Sequence, residues 1–153
     1  MREIERIIDQ MNRSFAGDSW HGPSLMSLLD GISAEEASAH TMRGAHSIWE
    51  LVNHVAAWKK IVLHRLRGEM AEVTAEVDWP PVWEASGVEW TRAVENLVAR
   101  HARLRDAAEK LKDGELDQIP AVTDVSRYVL LQGVVQRDLY HAGQIAILKK
   151  AFL

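Results

Sequence analysis

Apolar residues recur along most of the chain with the 3.6-residue period of an amphipathic helix, and no segment alternates as a strand does. The first such segment ends near Gly17 and carries its apolar stripe at Ile4, Ile7, Ile8, Met11 and Phe15. Three longer segments run from about 47 to 68, from about 86 to 114 and from about 124 to 152. A short helix is predicted at Leu25–Leu29. The pattern predicts an all-α protein with four long helices and short extra ones.

Three serines are each followed by a glutamate three residues later, at Ser33, Ser47 and Ser86. This spacing is typical of a capping box, in which the serine side chain accepts from the third helical N–H and the glutamate returns to the serine N–H. Each of the three serines is therefore predicted to begin a helix.

The segment 69–85 separates the second and third long helices. It contains Trp79-Pro80-Pro81, and two prolines exclude a helix interior there. A crossover of this length, or a flap over a pocket, fits a four-helix bundle that occupies 1–153 as one domain. The stripes predict six buried positions, at Leu51, Val55, Val94, Leu97, Val134 and Ile145.

Composition narrows the function classes. The 153 residues include 22 acids and 18 bases, for a net charge of −4, which argues against a nucleic-acid or anionic-membrane binder. There is no cysteine, so thiolate metal sites and cysteine nucleophiles are excluded. No apolar run reaches the roughly 20 residues of a membrane span, and the acidic start at 1–6 is not a signal peptide. We expect a cytoplasmic protein whose only metal ligands would be His, Asp or Glu.

Two histidines lie on apolar helix stripes. His54 shares its face with Leu51 and Trp58, while His141 lies one turn from Arg137 on a stripe of the last helix. Histidines that point inward from separate helices are how bundle metal sites are built, although a single buried histidine is more often a core residue with a hydrogen-bond partner. Arg137 argues against a metal, because a guanidinium cannot coordinate a cation.

Four blocks of sequence, in order and over nearly the whole chain, resemble the DinB family. They are WHGPS at 20–24, SIWELVNHVAAW at 47–58, DWPP at 78–81 and DLYHAGQI at 138–145. The resemblance implies a four-helix bundle, commonly dimeric, that holds one divalent metal, zinc or nickel, with three histidines. It also implies an enzyme class, since some members are thiol-dependent transferases or isomerases, others are described as metal-dependent hydrolases, and many have no known activity.

Carried over by position, His54 and His141 match two of the family's three ligands. The third ligand position falls on Arg137, where this sequence departs from the pattern. Possible replacements have simpler roles: we expect His21 to cap a helix or bond the backbone, Glu50 to serve the capping box, and Asp138 to face solvent or a neighbouring helix. The remaining histidines are expected at the surface or in turns: His40, His46, His64 and His101.

Three functions stay open from the sequence. The first is a metal-dependent hydrolase or transferase with His54 and His141 as ligands and the third ligand unidentified. The second is a metal-free protein that binds a small anionic or thiol ligand, with Arg137 as the anion contact. The third is a structural dimer. The six tryptophans are more than one small core readily uses, and with the resemblance they predict a homodimer.

Overall fold

The computed structural model describes all of residues 1–153, and the chain is all-α. No β-strand occurs in it. Two short 3-10 turns, at Asp113–Glu115 and Lys150–Phe152, accompany seven α-helices. The α-helices are α1 Glu3–Phe15, α2 Leu25–Leu29, α3 Ala34–Ser38, α4 Ile48–Leu66, α5 Ala75–Asp78, α6 Gly87–Glu109 and α7 Arg127–Lys149.

The predicted helix starts are confirmed, but only two of the three capping boxes form. Ser33 and Ser47 exchange both hydrogen bonds with the glutamates three residues on. Ser86 accepts from the Glu89 N–H, and the Glu89 carboxylate does not return to it. That carboxylate pairs with Arg92 instead, because the two side chains are neighbours on the same helix face.

The predicted helix ends were too generous by a few residues. Helix α4 ends at Leu66, and Gly68 adopts a positive φ of 74° that turns the chain away. Helix α6 ends at Glu109 rather than near Gly114, and α7 begins at Arg127, where Ser126 caps it.

The long helices pack around two apolar clusters. Helix α4 contacts both α6 and α7, and α1 contacts the same two helices. The first cluster unites α2, α3, the amino-terminal halves of α4 and α6 and the carboxyl-terminal half of α7. The second unites α1, the remaining halves of α4, α6 and α7, and Leu116. None of the helices combines the length and apolar content that a bilayer crossing needs.

Five of the six positions predicted as buried are confirmed, and one is wrong. Leu51, Val55, Leu97, Val134 and Ile145 are at most 4% exposed. Val94 is only half-buried, because it lines an open groove between α6 and α2 together with Met26 and Trp90.

The connection from α4 to α6 is built around the one-turn helix α5. Thr74 caps α5 by accepting from the Val77 N–H at 3.2 Å. The turn ends at Asp78 and Trp79, followed by the two prolines, and it lays both residues against α4. This connection thus contributes polar and aromatic groups to the interior.

Candidate functional site: two histidines and an arginine

His54 and His141 meet inside the protein. His54 on α4 and His141 on α7 are 4% and 5% exposed. Their ring centroids lie 4.8 Å apart with the planes nearly perpendicular, at 84°. His141 lies, with Lys59, His101 and Asp138, between the residues of the two apolar clusters, whereas His54 is flanked along α4 by residues of the first cluster.

The hydrogen bonds of His54 define its tautomer. Its Nδ1 lies 2.6 Å from the backbone carbonyl oxygen of Asp78. Because a carbonyl only accepts, Nδ1 carries the proton and donates it. The lone pair on Nε2 then accepts from Nη1 of Arg137 at 3.2 Å. Burial lowers the pKa of His54, and the nearby charges of His141 and Arg137 lower it further, against the opposing bond to Asp78. The ring is therefore neutral near pH 7.

Arg137 is held over an indole rather than by a carboxylate. Its guanidinium carbon lies 4.0 Å from the Trp58 ring centroid, in cation–π geometry. The two acids that influence it are otherwise engaged: Asp78 accepts from the Trp58 Nε1 at 2.7 Å, and Asp138 pairs with Lys59. Burial is the main effect on the pKa of Arg137 and lowers it. A half-buried guanidinium is thus left without a bonded anion.

His141 is anchored within its own helix. Its Nδ1 lies 2.6 Å from Oε1 of Gln144, so Nδ1 donates and Nε2 is the acceptor. Burial lowers the pKa of His141, opposed by the bond to Gln144. This ring is also neutral near pH 7.

Trp79 covers His54 from the connection. The indole stacks on His54 with centroids 3.8 Å apart and 9° between planes, and His46 stacks on Trp79 at 3.6 Å. Of the two roles open to the Trp79-Pro80-Pro81 segment, the structure shows Trp79 packed closely against the site.

The other histidines and acids fall mostly where the sequence predicts them. His40 and His46 are exposed and His64 is half-buried. His21 is exposed and its ring makes no hydrogen bond, so the expectation that it caps a helix or bonds the backbone is wrong. Glu50 caps α4, and its carboxylate oxygen also lies 3.1 Å from Nε2 of His40.

His101 contradicts the surface prediction. It is 5% exposed, stacks on Phe15 with centroids 3.8 Å apart, and has no partner at Nδ1. Burial, with the charges of Lys59 and Arg105, lowers its pKa to about 3. The sequence does indicate that His101 is buried, because position 101 lies four residues after Leu97 and three before Leu104 on the apolar face of α6.

Sequence reasoning also missed the partner of Asp138. Lys59 on α4 is 1% exposed, and its Nζ donates to both carboxylate oxygens of Asp138 at 2.8 Å. Asp138 therefore faces a neighbouring helix, one of the two expected orientations. Lys59 lies four residues after Val55 and three before Val62, so the stripe of α4 marks it as an inward lysine.

A cavity of about 170 Å³ opens beside Arg137 between α4 and α7. Its walls are largely apolar, and its polar lining includes Arg65, which the sequence did not single out. The guanidinium of Arg65 also lies over Trp58, at 5.5 Å from the ring centroid. The cavity therefore places two arginines beside apolar walls.

The chain is all-α, and its two inward histidines come from the facing helices α4 and α7. The family model of the DinB superfamily matches residues 19–145, and the chain belongs to that superfamily. No match is found among curated proteins or among solved structures.

The side chains present do not fit a three-residue metal site. No group of three or more His, Asp or Glu side chains is placed to hold a metal ion. The Nε2 lone pair of His54, which a metal would need, already accepts from Arg137. Polar contacts between α4 and α7 are made instead by a guanidinium and by an ion pair.

Proposed function

We propose that this protein is a metal-independent member of the DinB superfamily that binds a small organic anion through Arg137. The observation that carries the proposal is the 3.2 Å contact between Nη1 of Arg137 and Nε2 of His54. That contact uses the ligating atom of one histidine and brings a positive charge to the place where a cation would bind.

Electrostatics support the same proposal. A divalent ion beside a guanidinium is repelled, and the repulsion is screened less in a partly dry interior than in water. His141 would remain as one ligand, and a single imidazole offers few donor atoms in exchange for the water an ion gives up.

The unused donors of Arg137 support an anionic ligand. A guanidinium has five N–H groups, and Arg137 makes one hydrogen bond, to His54. Carboxylates and phosphates match the geometry of the remaining donors. A thiolate would meet the same charge with weaker hydrogen bonds, so we favour an oxyanion.

We infer that the contacts among α1, α4, α6 and α7 form the four-helix bundle of the superfamily. The first apolar cluster joins the amino-terminal halves of α4 and α6, which supports a parallel arrangement of these two helices. The connection between them, 67–86, would then be the long crossover.

Zinc titration by calorimetry tests the metal-independent reading. The wild type is expected to bind zinc weakly or not at all, whereas Arg137→His should bind it clearly more tightly by supplying a third imidazole. Arg65→His, which adds an imidazole about three helical turns from His54 on α4, is the matched control and should behave like the wild type.

A metal-dependent hydrolase or thiol-transferase is the second candidate. It is favoured by the 4.8 Å separation of the His54 and His141 rings, which leaves two imidazoles side by side. Stoichiometric, submicromolar binding of zinc or nickel by the wild type would establish this candidate and defeat the first.

We also propose that the chain is a homodimer through the outer face of α7. That face carries no charge over five turns, and Val129, Tyr140 and Ile147 on it are 48%, 67% and 59% exposed. Two glycines of the same face, Gly133 and Gly143, meet nothing within 4 Å and leave room for a close approach. Sedimentation equilibrium at micromolar concentration should give a dimer, and Tyr140→Arg should give a monomer. A wild-type monomer would contradict this.

A further inference from the structure

We propose that the cavity between α4 and α7 binds a monocarboxylate with a short apolar tail, and that Arg65 and Arg137 together receive its carboxylate. The inference rests on the proposed function in one respect, since Arg137 serves both. It adds the location of the site, the chemical class of the ligand and a second anion-binding residue, Arg65.

Arg65 and Arg137 share one aromatic support and one cavity. Their guanidinium carbons lie 5.5 and 4.0 Å from the centroid of Trp58, and both side chains line the cavity. Trp58 is itself fixed by the bond from its Nε1 to Asp78. Two guanidinium groups on one indole are thereby held close enough that the charge of Arg65 lowers the pKa of Arg137.

No protein carboxylate forms an ion pair with either guanidinium, although the charges of Asp78 and Asp138 act on Arg137. Glu69, four residues after Arg65 and beyond the end of α4, accepts from Nδ1 of His64 at 2.6 Å. Asp138 lines the cavity, but both of its oxygens are bonded to Lys59. An external anion would therefore meet two unpaired guanidinium groups, which bind carboxylates with two parallel hydrogen bonds.

The remainder of the cavity is suited to hydrocarbon. Most of its other lining side chains are aliphatic; these are Val55, Val62, Val125, Val129, Leu130 and Val134. The volume of about 170 Å³ is below the range of sites for drug-sized ligands, which starts near 300 Å³. The small volume excludes nucleotides and sugar phosphates. A carboxylate with a short hydrocarbon tail complements both the two guanidinium charges and the aliphatic walls of the cavity.

Calorimetric titration of the full chain with sodium hexanoate tests the proposal. Acetate supplies the charge without the tail, 1-hexanol the tail without the charge, and inorganic phosphate a different oxyanion. Hexanoate should bind at least about tenfold more tightly than any of the three, a difference of about 1.4 kcal/mol. The side-chain Nε–H resonances of Arg65 and Arg137 should shift with hexanoate.

Variants assign the effect to the cavity. Arg65→Gln should weaken hexanoate at least about tenfold, and Arg65→Lys should weaken it less, because it keeps the charge and loses the two-bond geometry. Arg67→Gln, an exposed arginine beyond the end of the same helix, is the control and should bind as the wild type does. Circular dichroism confirms that each variant is folded.

The proposal is overturned if hexanoate binds no more tightly than acetate, if phosphate binds more tightly than hexanoate, or if Arg65→Gln binds like the wild type. Its failure is separate from that of the proposed function. Tight zinc binding by the wild type would defeat the metal-independent reading whatever hexanoate does. Absence of both zinc and hexanoate binding would defeat only the cavity assignment.

Discussion

Two buried polar groups join α4 to α7, and they differ in how completely their hydrogen bonds are used. In the first, the Lys59 ammonium bonds both oxygens of Asp138, and the pair is at most 2% exposed. In the second, Arg137 makes one hydrogen bond, to His54, and faces a cavity. A closed polar pair has nothing left to offer a ligand and serves the fold. A group with spare donors at a cavity is where binding is expected.

The largest expected effect comes from removing one member of the Lys59–Asp138 ion pair. Lys59→Met should lower the free energy of unfolding by about 3–5 kcal/mol, because it leaves the Asp138 charge buried without a partner. Asp138→Leu should be similarly destabilising. The double variant should recover most of the loss, since a buried ion pair is often replaceable by apolar residues of like volume. Urea unfolding of the three variants measures this, and a double variant as unstable as the sum of the singles would contradict it.

The next effect is a loss of folding stability at acidic pH. The pKa of His101 is about 3 in the folded protein and near 6.5 when unfolded. When the folded state has the lower pKa, the full stability is present at pH values above the unfolded-state pKa. That stability is lost as the pH falls from about 6.5 toward 3. The loss is up to about 1.4 kcal/mol per pH unit for one proton. The lowered pKa values of His54 and His141 act in the same direction.

His101→Phe isolates this contribution. Phenylalanine keeps the stacking on Phe15 and removes the unpartnered Nδ1, so the variant should resist acid unfolding at lower pH than the wild type. His21→Phe, at an exposed position, is the control and should not shift the acid midpoint. Acid titrations followed by circular dichroism decide the matter, and coincident midpoints for wild type and His101→Phe would show that another group controls acid unfolding.

The sequence predicted the elements far better than the buried polar side chains between them. Helices followed from periodicity, and His54, Arg137 and His141 were found because they interrupt apolar stripes. Lys59 and His101 interrupt stripes in the same way, and they could have been found by the same test. Arg65 could not, because its role depends on the cavity, and a cavity depends on how α4 and α7 pack.

The connection between α4 and α6 was the hardest part to predict. Two prolines exclude a helix interior at 80–81, but they predict neither the one-turn helix α5 before them nor the direction in which the chain runs. The path that lets the Asp78 carbonyl reach His54 and Trp79 stack on it is a tertiary property. Helical period carries no information about it.

A smaller loss of stability is expected from replacing Arg137, the group with unused donors. Arg137→Met should lower the free energy of unfolding by about 1 kcal/mol, the net value of one hydrogen bond, and by less than Lys59→Met. It should also raise the pKa of His54, because the Arg137 charge lowers that pKa in the wild type. Urea unfolding and NMR titration of the His54 ring report the two quantities. A loss as large as that of Lys59→Met would remove the distinction between the two groups.

The same distinction, complete against incomplete bonding, applies to the helix starts, where the expected difference between two variants is small. Ser47 and Glu50 exchange two hydrogen bonds, of 3.2 and 2.8 Å, at the start of α4. At the start of α6, Ser86 makes one cap bond, of 3.3 Å. Replacing a capping serine by alanine costs about 0.5–2 kcal/mol. Ser47→Ala should therefore fall in the upper part of that range, since Ser47 is also 1% exposed, and Ser86→Ala in the lower part. Urea unfolding of both single variants tests the order, and equal losses would show that completing the box adds nothing to stability here.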